Sequence, residues 1–450
     1  MGNAIDYTLN EPLTDKTTDV GSIVESVVAD DKYSDLNAQQ NGKIQYAASC
    51  MQGWRGTMED AHLLAPSLTI SLKQKNRAHK KVQLKNFSLF GVFDGHGGDF
   101  SAIHAGENMI RILTYQDEWL NYFALNENLR SEAPGVEILK RILMSTFFDL
   151  DQELCDIHNA HIEERRLQEK KKIERLQKNY SSRSEEDCTT AGTQCVAIGS
   201  MEGVDSNIPT KLDRSGCTAV VVLLTPTHII CANSGDSRAI LCKDNKAYPL
   251  SFDHKPSNFV EYLRIKKAGG EVKMKRVDGD LAVSRGLGDF RYKRNVEIAS
   301  DEQKVSSSPE FIVTPRDVRK DEFILIGCDG IWDVVSNEES AQLVQTILDE
   351  GETQVGLVCE EMLDLCFERN SKDNMTICMV VFPASKMNRI DKANGEGAVM
   401  ARRAKRESNG TSPANLVSKS PEKRPSTKLK KKKLKRDLIN TSNGILQTVE

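Results

Sequence analysis

The sequence predicts an α+β fold in which a β-sandwich carries helices on its outer faces. Many short apolar runs bounded by Gly, Asp and Ser are typical of buried strands. Two long segments with apolar residues at helical spacing come early, and further helical segments come near the end. This order fits a layered domain, in which each helix buries one face against a sheet.

The individual elements follow from the same patterns. The ordered part begins with a strand at 44–51, which leads into a turn at 52–55. Helices are predicted at 101–120 and 136–161, and the charged stretch 163–178 favours a solvated extension of the second helix. The further predicted strands are 87–93, 218–224, 228–232, 238–242, 323–327 and 376–382.

Composition excludes several classes of protein. The chain has 450 residues, is 39% hydrophobic and 28% charged, and can therefore build a sizeable core. It has no apolar run long enough to span a bilayer and no signal-peptide pattern at its N-terminus. The eleven cysteines show no paired spacing, which predicts core residues in a reducing compartment and not disulfides or a zinc site. Those inside apolar segments include Cys217, Cys231, Cys328 and Cys378.

The chain divides into three predicted parts. Residues 1–40 are polar and are expected to form a flexible arm, 41–385 form the domain, and 386–450 form a disordered basic tail. An insertion at about 163–212 ends in a long loop that we expect to be flexible or regulatory. Between Arg402 and Arg436 there are 14 Lys/Arg and 2 Asp/Glu, so this stretch is +12 and the rest is −16. An acidic body with a basic tail suggests that the two parts meet different partners.

Five short acidic motifs lie at or beside the predicted strands. A carboxylate in such a place is poorly solvated unless a positive charge is near. Several carboxylates gathered at one end of a sheet repel one another unless hard cations hold them, and Mg²⁺ or Mn²⁺ prefer such oxygen ligands. The motifs are Met58-Glu59-Asp60, Phe93-Asp94-Gly95-His96-Gly97-Gly98, Ser234-Gly235-Asp236-Ser237, Cys328-Asp329-Gly330 and Lys372-Asp373-Asn374.

The acidic motifs suggest two cation sites. Asp94, Asp329 and Asp373 could bind one cation. Glu59, Asp94 and the Gly95 carbonyl could bind another, because a glycine lets the backbone approach a bound ion. Two ions roughly 4 Å apart can present a bridging hydroxide at neutral pH.

Two further residues could act on a phosphate. Arg55 lies three residues before Met58, where its guanidinium would form a fork for phosphate; the alternative is an ordinary surface arginine. His96 could donate a proton to a leaving group. The alternative for an isolated Asp-Gly-His is a simple turn, which the other motifs disfavour.

Eight motifs in order closely resemble the metal-dependent protein serine/threonine phosphatases, type 2C. The resemblance covers about residues 45–383. The motifs are Arg55-Gly56-Thr57-Met58-Glu59-Asp60-Ala61-His62, the Asp94 loop, Ser215-Gly216-Cys217-Thr218-Ala219, Gly235-Asp236-Ser237-Arg238, Asp253-His254-Lys255-Pro256, Leu281-Ala282-Val283-Ser284-Arg285, Cys328-Asp329-Gly330-Ile331-Trp332-Asp333 and Asp373-Asn374-Met375-Thr376.

The resemblance implies a fold and a reaction. The fold is a sandwich of two antiparallel sheets in four αββα layers, with the metal site at one end. The reaction is hydrolysis of phosphoserine and phosphothreonine by a water bound to two Mg²⁺ or Mn²⁺ ions, without a phosphoenzyme. By position, Asp94, Asp329 and Asp373 match the ligands of the first metal. Glu59, Asp94 and the Gly95 carbonyl match those of the second.

The resemblance also implies roles around these ligands. Asp60 matches a carboxylate behind the metal ligands, Arg55 the phosphate-binding arginine and His96 the general acid. Asp213 matches the aspartate that helps to hold a weak third ion in relatives, and 253–272 matches the flap that influences substrate choice.

The two ends of the chain allow alternative partners. Gly2 begins an incomplete myristoylation motif, because Asp6 stands where Ser or Thr is usual. The basic run 428–436 could supply a second membrane signal, a nuclear address or a contact for acidic partners, or it could be a solvated tail without a specific role. We expect a cytoplasmic or nuclear protein, with membrane contact through acylation and the tail as the alternative.

Two other functions were weighed against the enzyme. A binding protein that has lost catalysis on the same fold would be favoured by loss of Asp94, Asp329 or Asp373, and all three are present. A nucleic-acid-binding protein driven by the tail is disfavoured, because no aromatic residue interleaves the basic run. We therefore expect a monomeric enzyme that acts on phosphoproteins and has no specific nucleic-acid partner.

Overall fold

The computed structural model describes residues 8–24, 43–73, 79–181, 214–385, 399–401 and 404. The chain separates into two compact units, Met1–Gly395 and Glu396–Glu450. In the second unit, residues 399–401 and 404 are helical. The rest of the predicted tail, with the run 428–436, lies outside the described residues, as do Gly2, Asp6 and Asp213.

The described residues form eighteen strands. In chain order they are β1 (Thr8–Val24), β2 (Lys43–Arg55), β3 (Ala61–Ala65), β4 (Leu68–Lys73), β5 (His79–Leu84), β6 (Ser88–Phe93), β7 (Gly95–His96), β8 (Gly216–Cys217), β9 (Ala219–Leu224), β10 (His228–Ser234), β11 (Arg238–Lys243), β12 (Lys246–Pro249), β13 (Val272–Lys273), β14 (Arg276–Val277), β15 (Leu287–Gly288), β16 (Glu310–Pro315), β17 (Asp321–Gly327) and β18 (Met375–Val381).

The described residues of the first unit also form eight α-helices. They are α1 (Phe100–Thr114), α2 (Trp119–Ala124), α3 (Glu127–Arg130), α4 (Ala133–Ser181), α5 (Phe259–Lys267), α6 (Asp329–Trp332), α7 (Asn337–Asp349) and α8 (Val355–Glu368). Short 3₁₀ turns at Phe290–Tyr292 and Ser300–Glu302 lie between β15 and β16.

Two antiparallel sheets form the centre of the fold. The six-stranded sheet has the order β1-β2-β18-β17-β11-β12, and the five-stranded sheet has the order β16-β10-β9-β6-β3. Phe90 and Val92 of β6 join the apolar cluster shared by both sheets, whereas Leu89 and Phe93 of the same strand join the cluster under the helices. Both faces of β6 are therefore buried, which explains why its sequence is apolar without alternation.

Helices cover the outer faces of both sheets. Met109 of α1 and Leu139 of α4 pack in the same cluster as the outward side chains of the five-stranded sheet. Val344 of α7 and Met362 of α8 pack with the residues of the six-stranded sheet. The predicted α+β sandwich with four αββα layers is thereby confirmed.

The expectation of an unstructured N-terminal arm is wrong for β1. This strand pairs with β2 along the edge of the six-stranded sheet. Lys16 forms an ion pair with Asp364 at 2.6 Å, and the Thr18 hydroxyl donates to Glu360 at 2.9 Å. An edge strand is held by backbone bonds on one side and needs no alternating apolar pattern, so its polar sequence concealed it.

One more local prediction needs revision. Residues 52–55, predicted as a turn, continue strand β2, and the φ of +64° at Gly53 accompanies a shift of register against β1. The charged stretch after residue 162 is helical, as predicted, because α4 continues to Ser181. The inserted loop after it, 182–213, lies outside the described residues. The predicted flap contains α5 and begins the small β13–β14 hairpin.

The prediction that the cysteines inside apolar segments are core residues is confirmed. Cys217, Cys231, Cys328 and Cys378 are buried and form no disulfide, so they pack as small apolar side chains. Among the described helices, none combines the length and the hydropathy that crossing a membrane requires.

Candidate active site

The acidic motifs meet at one end of the sandwich because the strands that carry them end there. β2 ends at Arg55, and β3 begins directly after Asp60. β6 ends just before Asp94, and β17 ends two residues before Asp329. β18 begins two residues after Asp373. The register pairs Phe93 with Ala61 and Gly327 with Ile377, which brings these strand ends side by side within each sheet.

Two glycines allow the motifs to approach one another closely. A Cβ at Gly95 would collide with the backbone carbonyl of Glu59, and a Cβ at Gly330 would collide with that of Asn374. Each Asp-Gly motif is thus pressed against a second acidic motif, which only a glycine permits. The amide of Glu59 also donates to the Asn374 side chain at 2.9 Å, which links the two pairs.

The carboxylates of this cluster have too little positive charge near them. Burial and the charges of Asp329, Asp60, Asp236 and Asp373 raise the pKa of Asp94 well above its usual range. Burial and the charges of Asp236 and Asp373 raise the pKa of Asp329 in the same way. Such a cluster is stable in its ionised form only if cations join it. The structure therefore brings together Asp94, Asp329 and Asp373, as the sequence predicted.

Asp60 and Cys328 lie within this cluster, but both side chains are hydrogen-bonded to other groups of the protein. Single ligand atoms of Asp60, Asp94 and Cys328 lie within 4.8 Å of one another. Burial raises the pKa of Asp60 to about 6, and its Oδ2 accepts a hydrogen bond from the Thr376 hydroxyl at 2.7 Å. Burial and the surrounding carboxylates raise the pKa of the Cys328 thiol well above its usual range, so a thiolate ligand is disfavoured. The donors suited to an ion here are carboxylate oxygens.

Glu59 lies beside the loop that contains Gly95 and Gly98. Its Oε2 accepts a hydrogen bond from the amide of Gly98 at 3.1 Å, and its Oε1 accepts one from the Thr57 hydroxyl at 2.9 Å. These bonds aim the carboxylate at the loop that contains Gly95. Glu59 and Gly95 therefore lie together, as the predicted second ion site requires.

Arg55 lies at the edge of the cluster. Its Nη2 donates to Asp373 Oδ2 at 2.6 Å, and both side chains are one-third exposed. A guanidinium has five N–H donors, so a bond to Asp373 is compatible with a fork to an incoming phosphate.

His96 is paired with a residue that the sequence motifs did not assign. Its Nε2 lies 2.7 Å from Oδ2 of Asp289, a fully buried side chain. Burial lowers the pKa of His96, but the charge and hydrogen bond of Asp289 outweigh this and raise it above its ordinary value. The only sequence signal for Asp289 is a Gly-Asp pair shortly after the Ser284-Arg285 motif, without a long apolar run before it.

Asp236 is a second residue whose role the sequence analysis left open. It is buried, acts on both Asp94 and Asp329 through its charge, and forms an ion pair with Lys255. Burial raises the pKa of Asp236, although Lys255 lowers it in part. The Ser-Gly-Asp-Ser motif alone does not assign it a role. The predicted partner of a third ion, Asp213, lies outside the described residues.

Comparison with known proteins agrees with this geometry. The family model "Protein phosphatase 2C" matches residues 44–134 and 146–375. Protein phosphatase 1A of Bos taurus is 34% identical over 348 residues, which are 77% of this chain and 73% of that protein. Protein phosphatase ppm-1.A of Caenorhabditis elegans is 31% identical over 394 residues, which are 88% of this chain and 67% of that protein.

Solved structures show the same fold at lower identity. A phosphatase from Toxoplasma gondii superposes with a TM-score of 0.52 at 19% identity and covers 82% of this chain and 96% of its own. A serine-threonine phosphatase 2C from the same organism gives 0.51 at 20% identity, with 81% and 99% covered. With the sequence relatives and the family model, these findings show that the chain belongs to the protein phosphatase 2C family of metal-dependent protein serine/threonine phosphatases.

Proposed function

We propose that this chain hydrolyses phosphoserine and phosphothreonine in proteins at a site for two Mg²⁺ or Mn²⁺ ions. The observation that carries the proposal is the uncompensated carboxylate cluster around Asp94 and Asp329, with Arg55 at its edge. A buried cluster of this kind costs stability unless cations join it, so its presence points to a purpose beyond folding.

The residues fit hard divalent cations. Asp94, Asp329 and Asp373 would hold one ion, and Glu59, Asp94 and the Gly95 carbonyl would hold the other. All of these donors are oxygens, and the glycine at position 95 leaves its backbone accessible at close range. When bound, the two ions would supply Lewis acidity and an activated water.

Asp236 is a further candidate ligand for a weak third ion. Asp236 belongs to the cluster electrostatically, and Lys255 balances only part of its charge. We therefore propose Asp236, in addition to Asp213, as a ligand of the third ion. Substitution of Asp236 by Asn is expected to weaken activity most at low Mg²⁺.

The remaining groups of the chain act on the phosphate and the leaving oxygen. Arg55 binds the phosphate oxygens and orients the phosphorus, and Asp373 holds the guanidinium in place. His96 donates a proton to the departing seryl or threonyl oxygen, whose high basicity makes it a poor leaving group unaided. Asp60 supports the cluster from behind through its bond with Thr376.

A phosphopeptide assay tests this proposal. The full chain should release inorganic phosphate from phosphoserine and phosphothreonine peptides in the presence of Mg²⁺ or Mn²⁺, and EDTA should stop the reaction. Release that persists in EDTA, or no release with either metal, would refute the proposal.

We further propose that the protein is cytoplasmic and nuclear, with the basic run 428–436 as its nuclear address. Only the composition of the run supports this. Deletion of 419–436 should move an internally tagged protein out of the nucleus. If instead substitution of Gly2 or high salt releases the protein from membranes, the alternative of a membrane contact is favoured.

A further inference from the structure

We propose that Asp289 is a positioning residue that fixes the imidazole of His96 for proton donation to the leaving oxygen. This inference rests on the proposed phosphatase reaction and adds a residue to it. His96 can be reached by substrate, since its side chain is 28% exposed, whereas the side chain of Asp289 is 0% exposed. Asp289 can therefore act on the reaction only through His96.

The contact between the two side chains involves one ring nitrogen of His96 and leaves the other out of the pair. Nε2 of His96 lies 2.7 Å from Oδ2 of Asp289, which is hydrogen-bond distance. Its other oxygen, Oδ1, is buried and has no hydrogen-bond partner among the described residues. A carboxylate oxygen is the acceptor in such a pair, so we infer that the hydrogen lies on Nε2 and that Nδ1 is left to exchange a proton.

The proton balance of the step follows from this arrangement. The oxygen of the attacking water forms a bond to phosphorus while the bond from phosphorus to the seryl or threonyl oxygen breaks. The proton on Nδ1 of the imidazolium moves to that departing oxygen. The imidazole is left neutral, and its Nε2 hydrogen remains hydrogen-bonded to Asp289. The products are the free hydroxyl side chain and inorganic phosphate, and the proton lost by water restores the imidazolium through solvent.

The backbone is arranged to make this pair. Strands β7, β8 and β15 form a small sheet in which both His96 and Gly288 pair with Gly216. Asp289 follows Gly288 directly in the left-handed conformation, with φ of +54°, and its amide donates to the Ser215 carbonyl at 3.2 Å. A non-glycine residue tolerates this conformation only where surrounding contacts hold it.

Gly216 leaves the room that the contact needs. A Cβ at this position would collide with Asp289 Oδ2 and would lie 2.6 Å from His96 Nε2. The two side chains meet directly over the glycine, so the absence of a side chain there is part of how the pair is built.

A buried ion pair clamps the loop that carries Asp289. Asp151 of α4 accepts a hydrogen bond from the Gly288 amide at 2.8 Å. Lys293 donates to both oxygens of Asp151, at 2.8 and 2.9 Å, and to the Gly286 carbonyl at 2.9 Å. The loop is thus held on both sides of Asp289, which fixes the direction of its carboxylate.

The test compares Asp289→Asn with wild type and His96→Ala in the full chain with saturating Mg²⁺. A phosphothreonine peptide has a basic leaving oxygen, whereas p-nitrophenyl phosphate has one that needs little protonation. Asp289→Asn should lower kcat on the peptide by about 10- to 100-fold, below the ~10²–10⁴-fold that general acid catalysis contributes. It should change kcat on the nitrophenyl ester by less than about 3-fold, and the double variant should be no slower than His96→Ala alone.

The matched control is the substitution Asp280→Asn. Asp280 is an exposed aspartate that precedes the loop of Asp289 in the chain. It should behave as wild type on both substrates. An equal loss on both substrates for Asp289→Asn, no loss on either, or a further loss in the double variant would overturn the role of Asp289. If wild type itself releases no phosphate, the proposed function fails instead.

A second measurement does not require the Asp289→Asn variant to fold. ¹H–¹⁵N spectra of the ¹⁵N-histidine-labelled full chain, with His96 assigned by its loss in His96→Ala, report which ring nitrogen is protonated. We expect Nε2 to carry a hydrogen in wild type. A neutral His96 protonated only at Nδ1 would contradict the proposal without any reference to activity.

Discussion

The active site and the flap both bury acidic side chains, but they treat the charge in opposite ways. At the active site, burial and mutual repulsion raise the pKa of Asp94 and Asp329 well above the usual range. In the flap, burial would also raise the pKa of Glu261, but Arg285 and Arg264 lower it to about 2. Each guanidinium lies 2.7 Å from a Glu261 oxygen.

The difference teaches where each region obtains its counter-charge. The flap carries its own, so Glu261 joins α5 to the segment before β15 in the protein as it folds. At the active site Arg55 and Lys255 pair with Asp373 and Asp236, and the remaining charge of Asp94 and Asp329 is left to be balanced by ions from solution. A buried acid with internal partners is a structural device, and one without them marks a site that a ligand completes.

The largest loss of activity should come from substitution of single aspartates in the carboxylate cluster. Asp94→Asn and Asp329→Asn should each lose metal-dependent activity by more than the ~10–100-fold typical of residues that only support a metal ligand. In EDTA the same variants should be more stable than wild type by ~1 kcal/mol in the free energy of unfolding, because a repelling charge is gone. This gain should appear as a higher unfolding temperature. Activity assays and thermal unfolding check both parts. Variants that keep activity, or that are less stable in EDTA, would contradict the comparison.

Glu261→Gln should act in the opposite sense. It leaves two largely buried arginines without their partner, which should destabilise the protein by about 3–5 kcal/mol in urea unfolding at pH 7. The matched control is Glu302→Gln. It removes the exposed partner of Lys267, which lies on the same helix as Glu261, and it should cost no measurable stability. Equal stability of the two variants would mean that Glu261 is not the anchor of the flap.

Arg55→Ala should weaken substrate binding more than turnover. A charge-assisted hydrogen bond contributes ~1.5–3 kcal/mol, which corresponds to a rise in KM of about 10- to 100-fold. Arg55→Lys should recover part of this, because an ammonium keeps the charge but not the fork. A KM that does not change on phosphopeptides would remove Arg55 from the phosphate site.

The pH dependence of stability should differ between the two regions by a smaller amount. The pKa of Glu261 is lowered from 4.5 to about 2, so its stabilisation is complete above pH 4.5 and is lost as the pH falls towards 2. The stability difference between wild type and Glu261→Gln should therefore shrink over that window. In EDTA, the raised pKa values of Asp94 and Asp329 should make the protein lose stability as the pH rises above their ordinary value. A stability in EDTA that rises through the neutral range would contradict this sign.

The sandwich and most site residues could be predicted from sequence because their signals are local. Apolar runs mark β6, β17 and β18, and an aspartate lies within two residues of one end of each run. The positions of Asp94, Asp329 and Asp373 then followed from the fact that the strands meet at one end.

Other features could not be predicted because their cause is not local. Asp289 and His96 are 193 residues apart and meet through a three-stranded sheet of two-residue strands, which leave no periodic pattern. β1 is an edge strand with polar residues, held by Lys16 and Thr18 to side chains more than 340 residues away. Asp236 was part of a visible motif, but only the packing shows that it joins the cluster and pairs with Lys255.

The most direct measurement is the binding of Mg²⁺ and Mn²⁺ to the full chain by calorimetry in buffers of different ionisation enthalpy. We expect two ions per chain to bind with net release of protons, because carboxylates with raised pKa values must ionise to become ligands. The Asp329→Asn protein should lose one of these ions, and the Glu261→Gln protein, where folded, should keep both. No binding, binding without proton release, or binding that is unchanged in Asp329→Asn would contradict the claim that cations complete the carboxylate cluster.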